Sequence, residues 1–182
     1  QQGLGKPILI GREAQVERTM KQMGVPEGAL EIVNARLSDR NADYTDYLYD
    51  RLQRRGYLKR DAQRLVNQDR NVFGSCMLAH GDADGMVTGV TRNYDVCLTD
   101  VRLSLDPLPD SDVIGMSMVI NRGKTIFIAD TSVNELPNGE QLAGIAKEAA
   151  MAVKRLGFVP RVAFLSYSTF GNPMGERAEK VR

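Results

Sequence analysis

Residues 114–156 read IGMSMVINRGKTIFIADTSVNELPNGEQLAGIAKEAAMAVKRL, and this stretch combines the two hydrophobic periods from which a fold class can be predicted. In residues 114–120 every second position is Ile or Met, which is the period of a β-strand. Residues 121–124, Asn-Arg-Gly-Lys, predict a hairpin turn, and the apolar run 125–129 predicts the returning strand.

The second part of the stretch has helical spacing. Apolar residues recur on one face from Gly139 to Leu156, and Asn138 with Gln141 three residues later resembles a capping box. Gly157 is suited to end this helix. The apolar run Arg161–Ser168 then predicts another strand, which leads into a polar loop.

Strand-like and helical segments also alternate upstream. Apolar runs at residues 7–10, 30–34 and 86–89 predict three short strands. Helices are predicted at residues 13–23, 44–56, 62–66, 72–80 and 94–105. This alternation predicts an α/β fold with a mainly parallel sheet that is interrupted by the one hairpin.

The segment 105–110, Leu-Asp-Pro-Leu-Pro-Asp, breaks all periodicity and is the predicted domain boundary. We therefore expect a first α/β domain at residues 1–110 and a second, hairpin-containing one at residues 111–182. Residues 174–182 begin a new helical pattern. Because the second domain has too few elements to cover its sheet, we expect these 182 residues to be part of a longer fold.

Composition narrows the class of protein. A hydrophobic content of 42%, a charged content of 26% and a net charge of +1 are ordinary for a soluble domain and argue against binding to nucleic acid or a membrane surface. The sequence shows no signal peptide and no apolar run of membrane-spanning length, so a cytoplasmic location is expected. Cys76 and Cys97 lie in apolar helical patterns, which favours reduced core thiols.

The acidic, glycine-bounded segment Gly81–Gly89 leads directly into Thr91–Tyr94. If a strand ends there and a helix begins, free backbone N–H groups form an anion site that Arg92 and the hydroxyls of Thr88 and Thr91 could complete. A plain turn is the alternative.

Other polar residues near this segment admit two interpretations. Asp82 and Asp84 are candidate metal ligands, although two carboxylates without a third partner favour solvated or capping roles. His80, the only histidine, lies at a predicted helix end, where a structural or exposed role is favoured over catalysis. No metal site is therefore predicted.

Two further stretches could bind a phosphorylated ligand. Arg51, Arg54 and Arg55 precede Gly56, where they complement a helix dipole or could bind a diphosphate through bidentate contacts. The hydroxyl-rich loop Ser166–Pro173 follows a predicted strand, although the same residue types are common in turns.

Three blocks together resemble the phosphate acetyl/butyryltransferase family. These are the segment Gly81–Gly89, the block Ile128–Asn134 with its following helix start at residues 139–143, and the run Arg161–Thr169. Their order and spacing match from about residue 3 to the end. The resemblance implies a three-layer α/β/α architecture of two domains, like that of isocitrate and isopropylmalate dehydrogenases. It also implies an acyl-CoA site in the cleft and dimerisation through the second domain.

A finer resemblance concerns the copy of this domain that is fused behind malic enzyme, which residues 66–74 and 87–94 resemble more than the stand-alone transferase. The stand-alone enzymes carry a catalytic arginine that aligns, without gaps from Gly85, with Thr99. The family's late Ser–Arg catalytic pair is expected beyond residue 182. The presence of Thr99 in place of the transferase arginine favours ligand binding without turnover.

The resemblance therefore implies a regulatory module of an NADP-dependent malic enzyme, which binds acetyl-CoA or CoA and has no catalytic residues of its own. An active phosphate acetyltransferase is the alternative, and an oligomerisation scaffold with a degenerate cleft is a third possibility. NADP and a divalent metal are implied only for the malic-enzyme half. The predicted acetyl-CoA-binding residues, among which Arg92 ranks first, are Arg51, Arg54, Arg55, Thr88, Gly89, Thr91, Arg92, Asn93 and Tyr94.

Overall fold

The structure is a computed structural model that describes residues 5–166, 168, 172, 175–179 and 181. The chain forms two compact units, unit 1 from Gln1 to Asp106 and unit 2 from Pro107 to Arg182. They meet inside the proline-containing segment 105–110, four residues before the boundary expected from the sequence. Among the described residues, no helix is both long and apolar enough to span a membrane.

Unit 1 is a helical layer with a small parallel sheet. Strands β1 and β2 pair in parallel, with Leu9 opposite Ile32. A short 3-10 helix, Gln53–Arg55, follows the second helix. The elements are β1 Ile8–Ile10, α1 Glu13–Gln22, β2 Glu31–Val33, α2 Asn41–Leu52, α3 Lys59–Gln68, α4 Arg70–His80 and α5 Tyr94–Ser104.

The core of unit 1 lies between α2, α3 and α4. The rings of Tyr44 and Phe73 meet edge to face at 5.2 Å between centroids, a geometry that adds to the energy of burial. Each large apolar side chain buried here stabilises the fold by about 1.5–3 kcal/mol relative to exposure. The most deeply buried apolar residues are Tyr44, Leu48, Leu52, Ala62, Val66, Val72, Phe73 and Cys76.

Glycine is required at particular points of this packing. Gly56 and Gly81 follow helices in the left-handed conformation, with φ of 87° and 74°, which other residues rarely adopt. A Cβ on Gly74 would lie 2.9 Å from the sulfur of Met86 and 3.1 Å from Cδ1 of Ile10. The bare backbone of α4 therefore allows both side chains to pack closely against it.

The predicted strand at residues 86–89 is wrong. Residues 82–93 contain no strand, and Val87 and Val90 are fully exposed, with Val90 at a positive φ of 46°. Apolar composition made the segment resemble a strand, but a strand needs a hydrogen-bonded neighbour. Consequently no sheet edge supplies an anion site at this turn.

Unit 2 contains the predicted hairpin and helix. Ser117 faces Ile128 across an antiparallel pair, and the turn residues Arg122 and Gly123 both have positive φ, 49° and 74°, as a two-residue type I′ turn requires. The predicted capping box is confirmed, because Asn138 and Gln141 exchange hydrogen bonds of 2.9 and 2.8 Å. The elements are β3 Met116–Asn121, β4 Lys124–Ala129, α6 Gly139–Arg155 and α7 Glu176–Glu179.

Two further expectations need correction. Residues 161–166 are not a strand, and Val162 and Leu165 on this segment are exposed, because no neighbouring strand pairs with it in the described chain. The sheet is also not mainly parallel over the described residues, which form one parallel and one antiparallel pair.

Candidate functional site

Arg92, the first-ranked predicted ligand, is held by two carboxylates of unit 1. One guanidinium nitrogen, Nη1, donates to Asp69 Oδ2 at 2.5 Å and to Asp100 Oδ2 at 2.8 Å. The hydrogen bond to Asp69 is the main cause that raises the pKa of Arg92 above its ordinary value. Asp69 also caps α4, where its other oxygen accepts from the N–H groups of Asn71 and Val72.

The same network fixes the exposed loop that precedes α5. Asn71 is buried, accepts a 2.5 Å hydrogen bond from the hydroxyl of Thr88 and donates one of 2.9 Å to Asp100. Thr88 and Arg92 are therefore tied to the start of α4 and to α5. One guanidinium between two carboxylates carries a net charge of −1, so this cluster as a whole does not attract phosphate.

Arg51 has a separate acidic partner. Its guanidinium donates to Asp106 Oδ1 at 2.8 Å and to the carbonyl of Leu103 at 3.3 Å, which caps the C-terminal end of α5. The hydrogen bond to Asp106 raises the pKa of Arg51. Arg51 and Arg92 share no partner in these contacts, so each of the two guanidinium groups is paired with its own carboxylates.

The remaining predicted site residues lie at the surface of unit 1. The side chains of Arg54 and Arg55 are exposed and form no ion pair with any described residue. Gly89 has a φ of 132°, and Thr91, two residues later, is exposed. Asn93 takes the N-cap position of α5 without a side-chain cap, and Tyr94 begins that helix half-exposed.

The acidic segment after α4 has a structural contact. Asp82 accepts hydrogen bonds from the hydroxyl of Tyr44 and from Arg40. Burial, and then the bond to Asp82, raise the pKa of Tyr44 to about 12. His80 donates from Nδ1–H to the Cys76 carbonyl at 2.9 Å. Among the described residues, no cluster of His, Cys, Asp and Glu could hold a metal ion.

A cavity of about 690 Å³ lies in unit 1, and none of the predicted site residues lines it. It is lined by residues that directly follow β1 and β2, by one face of α1 and by the junction between α3 and α4. Arg12, Arg36 and Arg70 line it, whereas no Asp or Glu does. None of these three arginines forms an ion pair with a described residue.

The cavity was not predicted from the sequence, although the sequence contains a signal that points to it. Gly11 directly follows the first predicted strand and Asn34 ends the second, and both line the cavity. Ligands of α/β proteins bind at the carboxyl ends of parallel strands. The loop Ser166–Pro173, which was considered instead, falls largely outside the described residues.

Comparisons with known proteins identify the family. The family model described as phosphate acetyl/butaryl transferase matches residues 1–182. An NADP-dependent malic enzyme of Rhizobium meliloti is 56% identical over all of this chain and 24% of its own length. A probable NADP-dependent malic enzyme of Rickettsia prowazekii is 44% identical over 98% of this chain, again covering 24% of its own length.

A solved structure of a phosphotransacetylase from Streptococcus pyogenes is also similar, at 25% identity and a TM-score of 0.86. The alignment covers 98% of this chain and 54% of that one. The chain thus spans about a quarter of the malic enzymes and about half of the phosphotransacetylase. The predicted α/β fold class is confirmed, and the chain belongs to the phosphate acetyl/butaryl transferase family.

Proposed function

We propose that this chain is the phosphotransacetylase-like regulatory domain of an NADP-dependent malic enzyme and binds acetyl-CoA or CoA without transferring the acetyl group. Sequence identity supports this assignment, because the chain is 56% identical to one malic enzyme and 25% identical to the phosphotransacetylase of known structure. The proposal includes a cytoplasmic homodimer. NADP and a divalent metal belong to the malic-enzyme half of the whole protein, which oxidatively decarboxylates malate.

The observation that carries the proposal is the chemistry of α5 around Thr99. The family resemblance aligns Thr99 with the transferase arginine, and Thr99 is exposed on α5. The next residue, Asp100, is engaged by Arg92 and Asn71. A neutral hydroxyl stabilises the charge that develops in a phosphoryl or acyl transition state less than a guanidinium does, whereas ground-state binding does not require that charge.

The proposed acetyl-CoA site retains the residues predicted from the sequence. Its arginines differ, however, in whether a carboxylate already binds them. Arg54 and Arg55 are free of ion pairs among the described residues. Arg92 already donates from Nη1 to Asp69 and Asp100, so a phosphate would have to use its other guanidinium N–H groups or displace one of these carboxylates. An allosteric coupling of about 1–3 kcal/mol between this domain and malate oxidation would suffice for feedback by acetyl-CoA.

An active phosphate acetyltransferase is the alternative. The similarity to a phosphotransacetylase structure over 98% of this chain favours it. The two functions differ in one measurable property, the turnover of acetyl-CoA with phosphate.

The test uses the full-length protein. We expect calorimetry to show binding of acetyl-CoA, and we expect acetyl-CoA to inhibit malate oxidation. A coupled assay with acetyl-CoA and phosphate should show turnover far below about 10 per second, an ordinary enzyme rate. Turnover near that rate would favour the alternative, and the absence of acetyl-CoA binding would contradict both functions.

Arg92→Ala tests the first-ranked ligand. We expect acetyl-CoA binding to weaken by about 1–3 kcal/mol, the range for a hydrogen bond to a charged group. Because the substitution also leaves Asp69 and Asp100 uncompensated, repulsion alone could weaken binding. The double variant Arg92→Ala with Asp100→Asn removes part of that repulsion. Binding that returns to the wild-type value in the double variant would exclude Arg92 as a ligand, and Arg102→Ala on the exposed face of α5 is the control for general charge loss.

A further inference from the structure

The arginine-lined cavity of unit 1 has the size and chemistry of a ligand site that the sequence did not reveal. Its volume of about 690 Å³ falls within the roughly 300–1,000 Å³ of small-molecule sites. Its location after β1 and β2 is where α/β folds bind ligands. We infer that this cavity binds the phosphate groups of a phosphorylated nucleotide.

Charge is the first argument. Arg12, Arg36 and Arg70 give the lining a formal charge of +3, in a chain whose net charge is only +1. Arg51 and Arg92 are instead compensated, Arg51 by Asp106 and Arg92 by two carboxylates. Uncompensated guanidinium groups around one space favour a ligand with several clustered negative charges, because each can bind phosphate in a bidentate manner.

Local structure supports the same location. The backbone N–H of Arg36 donates to Asn34 Oδ1 at 3.1 Å, which fixes the turn immediately after β2. Gly11 donates to the Val33 carbonyl at 3.0 Å and lies close to α1, since a Cβ on it would come within 2.9 Å of Val16 Cγ2. The start of α1 has no side-chain cap, so its first N–H groups remain available as anion donors.

The rest of the lining is suited to the base of a nucleotide. Apolar side chains of β1 and α1, including Leu9, Val16 and Met20, line the cavity beside the arginines. Asn67 also lines it, and its buried Oδ1 has no hydrogen-bond partner among the described residues. An unpaired acceptor of this kind is expected where a bound water or ligand supplies the donor.

More than one class of ligand could supply these phosphates, because CoA, NADP and free nucleotides all carry clustered phosphates on an adenosine. The inference does not depend on the regulatory role proposed above. Calorimetric titrations of the full-length protein therefore use four probes, which are acetyl-CoA, NADP, adenosine 3′,5′-bisphosphate and inorganic phosphate. Binding through guanidinium groups should also weaken as salt is raised.

The decisive variant is Arg12→Gln with Arg36→Gln. We expect it to bind at least one nucleotide probe about tenfold or more weakly for each arginine removed. Arg18→Gln, on α1 but outside the lining, should bind like the wild type. Circular dichroism of each variant should remain that of the wild type, because all three side chains are exposed.

Each outcome separates this inference from the proposed function. If wild type binds acetyl-CoA and the double variant binds every probe equally well, the cavity inference is overturned while the regulatory function stands. If acetyl-CoA does not bind but NADP or the bisphosphate binds and depends on Arg12 and Arg36, the cavity stands and the regulatory function fails. Wild-type protein that binds none of the four probes would overturn both.

Discussion

Units 1 and 2 reach stability by different means. Unit 1 buries a continuous apolar core, in which Tyr44, Phe73 and their neighbours are almost fully removed from solvent. Among the described residues of unit 2, only Ile145 and Val153 are buried apolar side chains. Unit 2 is instead organised around one carboxylate, that of Asp130.

Asp130 gathers the turn that follows β4. Its Oδ1 accepts from the backbone N–H groups of Gly115, Ser132 and Val133 at 2.9–3.1 Å, and its Oδ2 accepts from the backbone and side chain of Asn134 at 2.8 and 2.6 Å. Partial burial would raise the pKa of Asp130, but these donors outweigh it and lower the pKa to about 2. A small unit can therefore order its loops through one charge when its apolar core is thin.

The largest effect on stability is expected when Phe is replaced by Ala in unit 1, and the same substitution in unit 2 provides the comparison. Phe73 is 1% exposed, and Phe73→Ala should destabilise unit 1 by about 3–5 kcal/mol, because it leaves a cavity in a close-packed core. Phe158 is 45% exposed and meets Phe127 edge to face at 5.5 Å, so Phe158→Ala should destabilise unit 2 by about 1 kcal/mol. Native-state amide hydrogen exchange, measured on peptides from α4 and α6, reports each unit separately. If the two substitutions destabilised their units equally, the expected difference between the core of unit 1 and that of unit 2 would be contradicted.

The second prediction concerns the charge that organises unit 2. Asp130→Asn keeps the shape but replaces one acceptor oxygen by a donor that faces backbone N–H groups. We expect a loss of about 1.5–3 kcal/mol, confined to unit 2. Glu135→Gln removes a charge from the same exposed segment without affecting a described hydrogen bond, and it should leave hydrogen exchange unchanged. Loss of protection in α4 after Asp130→Asn would show that the effect is not local.

The same carboxylate predicts a pH dependence. Since the folded pKa of Asp130, about 2, is below the ordinary value of about 3.9, its stabilisation is fully present above about pH 4 and is lost as the pH falls towards 2. Wild-type unit 2 should therefore lose protection over this window relative to Asp130→Asn, whose stability should vary less. Identical pH profiles for the two proteins would assign the acid sensitivity to other groups.

The features that the sequence predicted correctly are encoded locally. Positive φ at Arg122 and Gly123 follows from the hairpin turn, and the capping box follows from the spacing of Asn138 and Gln141. Helices with a strong apolar face, such as α2, were also predicted near their observed bounds. Such signals depend on neighbours within about one helical turn, and a single sequence contains them completely.

The features that were missed depend on distant parts of the chain. The runs 86–89 and 161–166 have the composition of strands but lack a pairing partner in the described structure. Arg92 was expected to be free for phosphate, yet Asp69, 23 residues away, binds it. Arg12, Arg36 and Arg70 are far apart in sequence, and only the fold brings them to one cavity. Nothing in the sequence distinguishes a paired arginine from an unpaired one.

The smallest expected effect on folding stability concerns the face by which unit 2 could pair with a second copy. Val119, Ile126 and Ile128 alternate onto one face of the hairpin and are 45%, 58% and 48% exposed, whereas Phe127 on the other face packs against Phe158. Exposed apolar surface of this kind marks an interaction site, and we expect it to mediate the dimer predicted from the sequence.

Ile126→Lys should change the stability of unit 2 by about 0.5 kcal/mol or less, because the side chain is already exposed. It should nevertheless convert a dimer into a monomer in sedimentation experiments on the full-length protein, since a buried lysine without a partner would be too costly at the interface. Ile120→Lys is the matched control, because Ile120 is 68% exposed on the opposite face of the same hairpin. A wild-type monomer at micromolar concentration, or an Ile126→Lys dimer, would refute self-association through this face, and the thin core of unit 2 would then have to be stable without it.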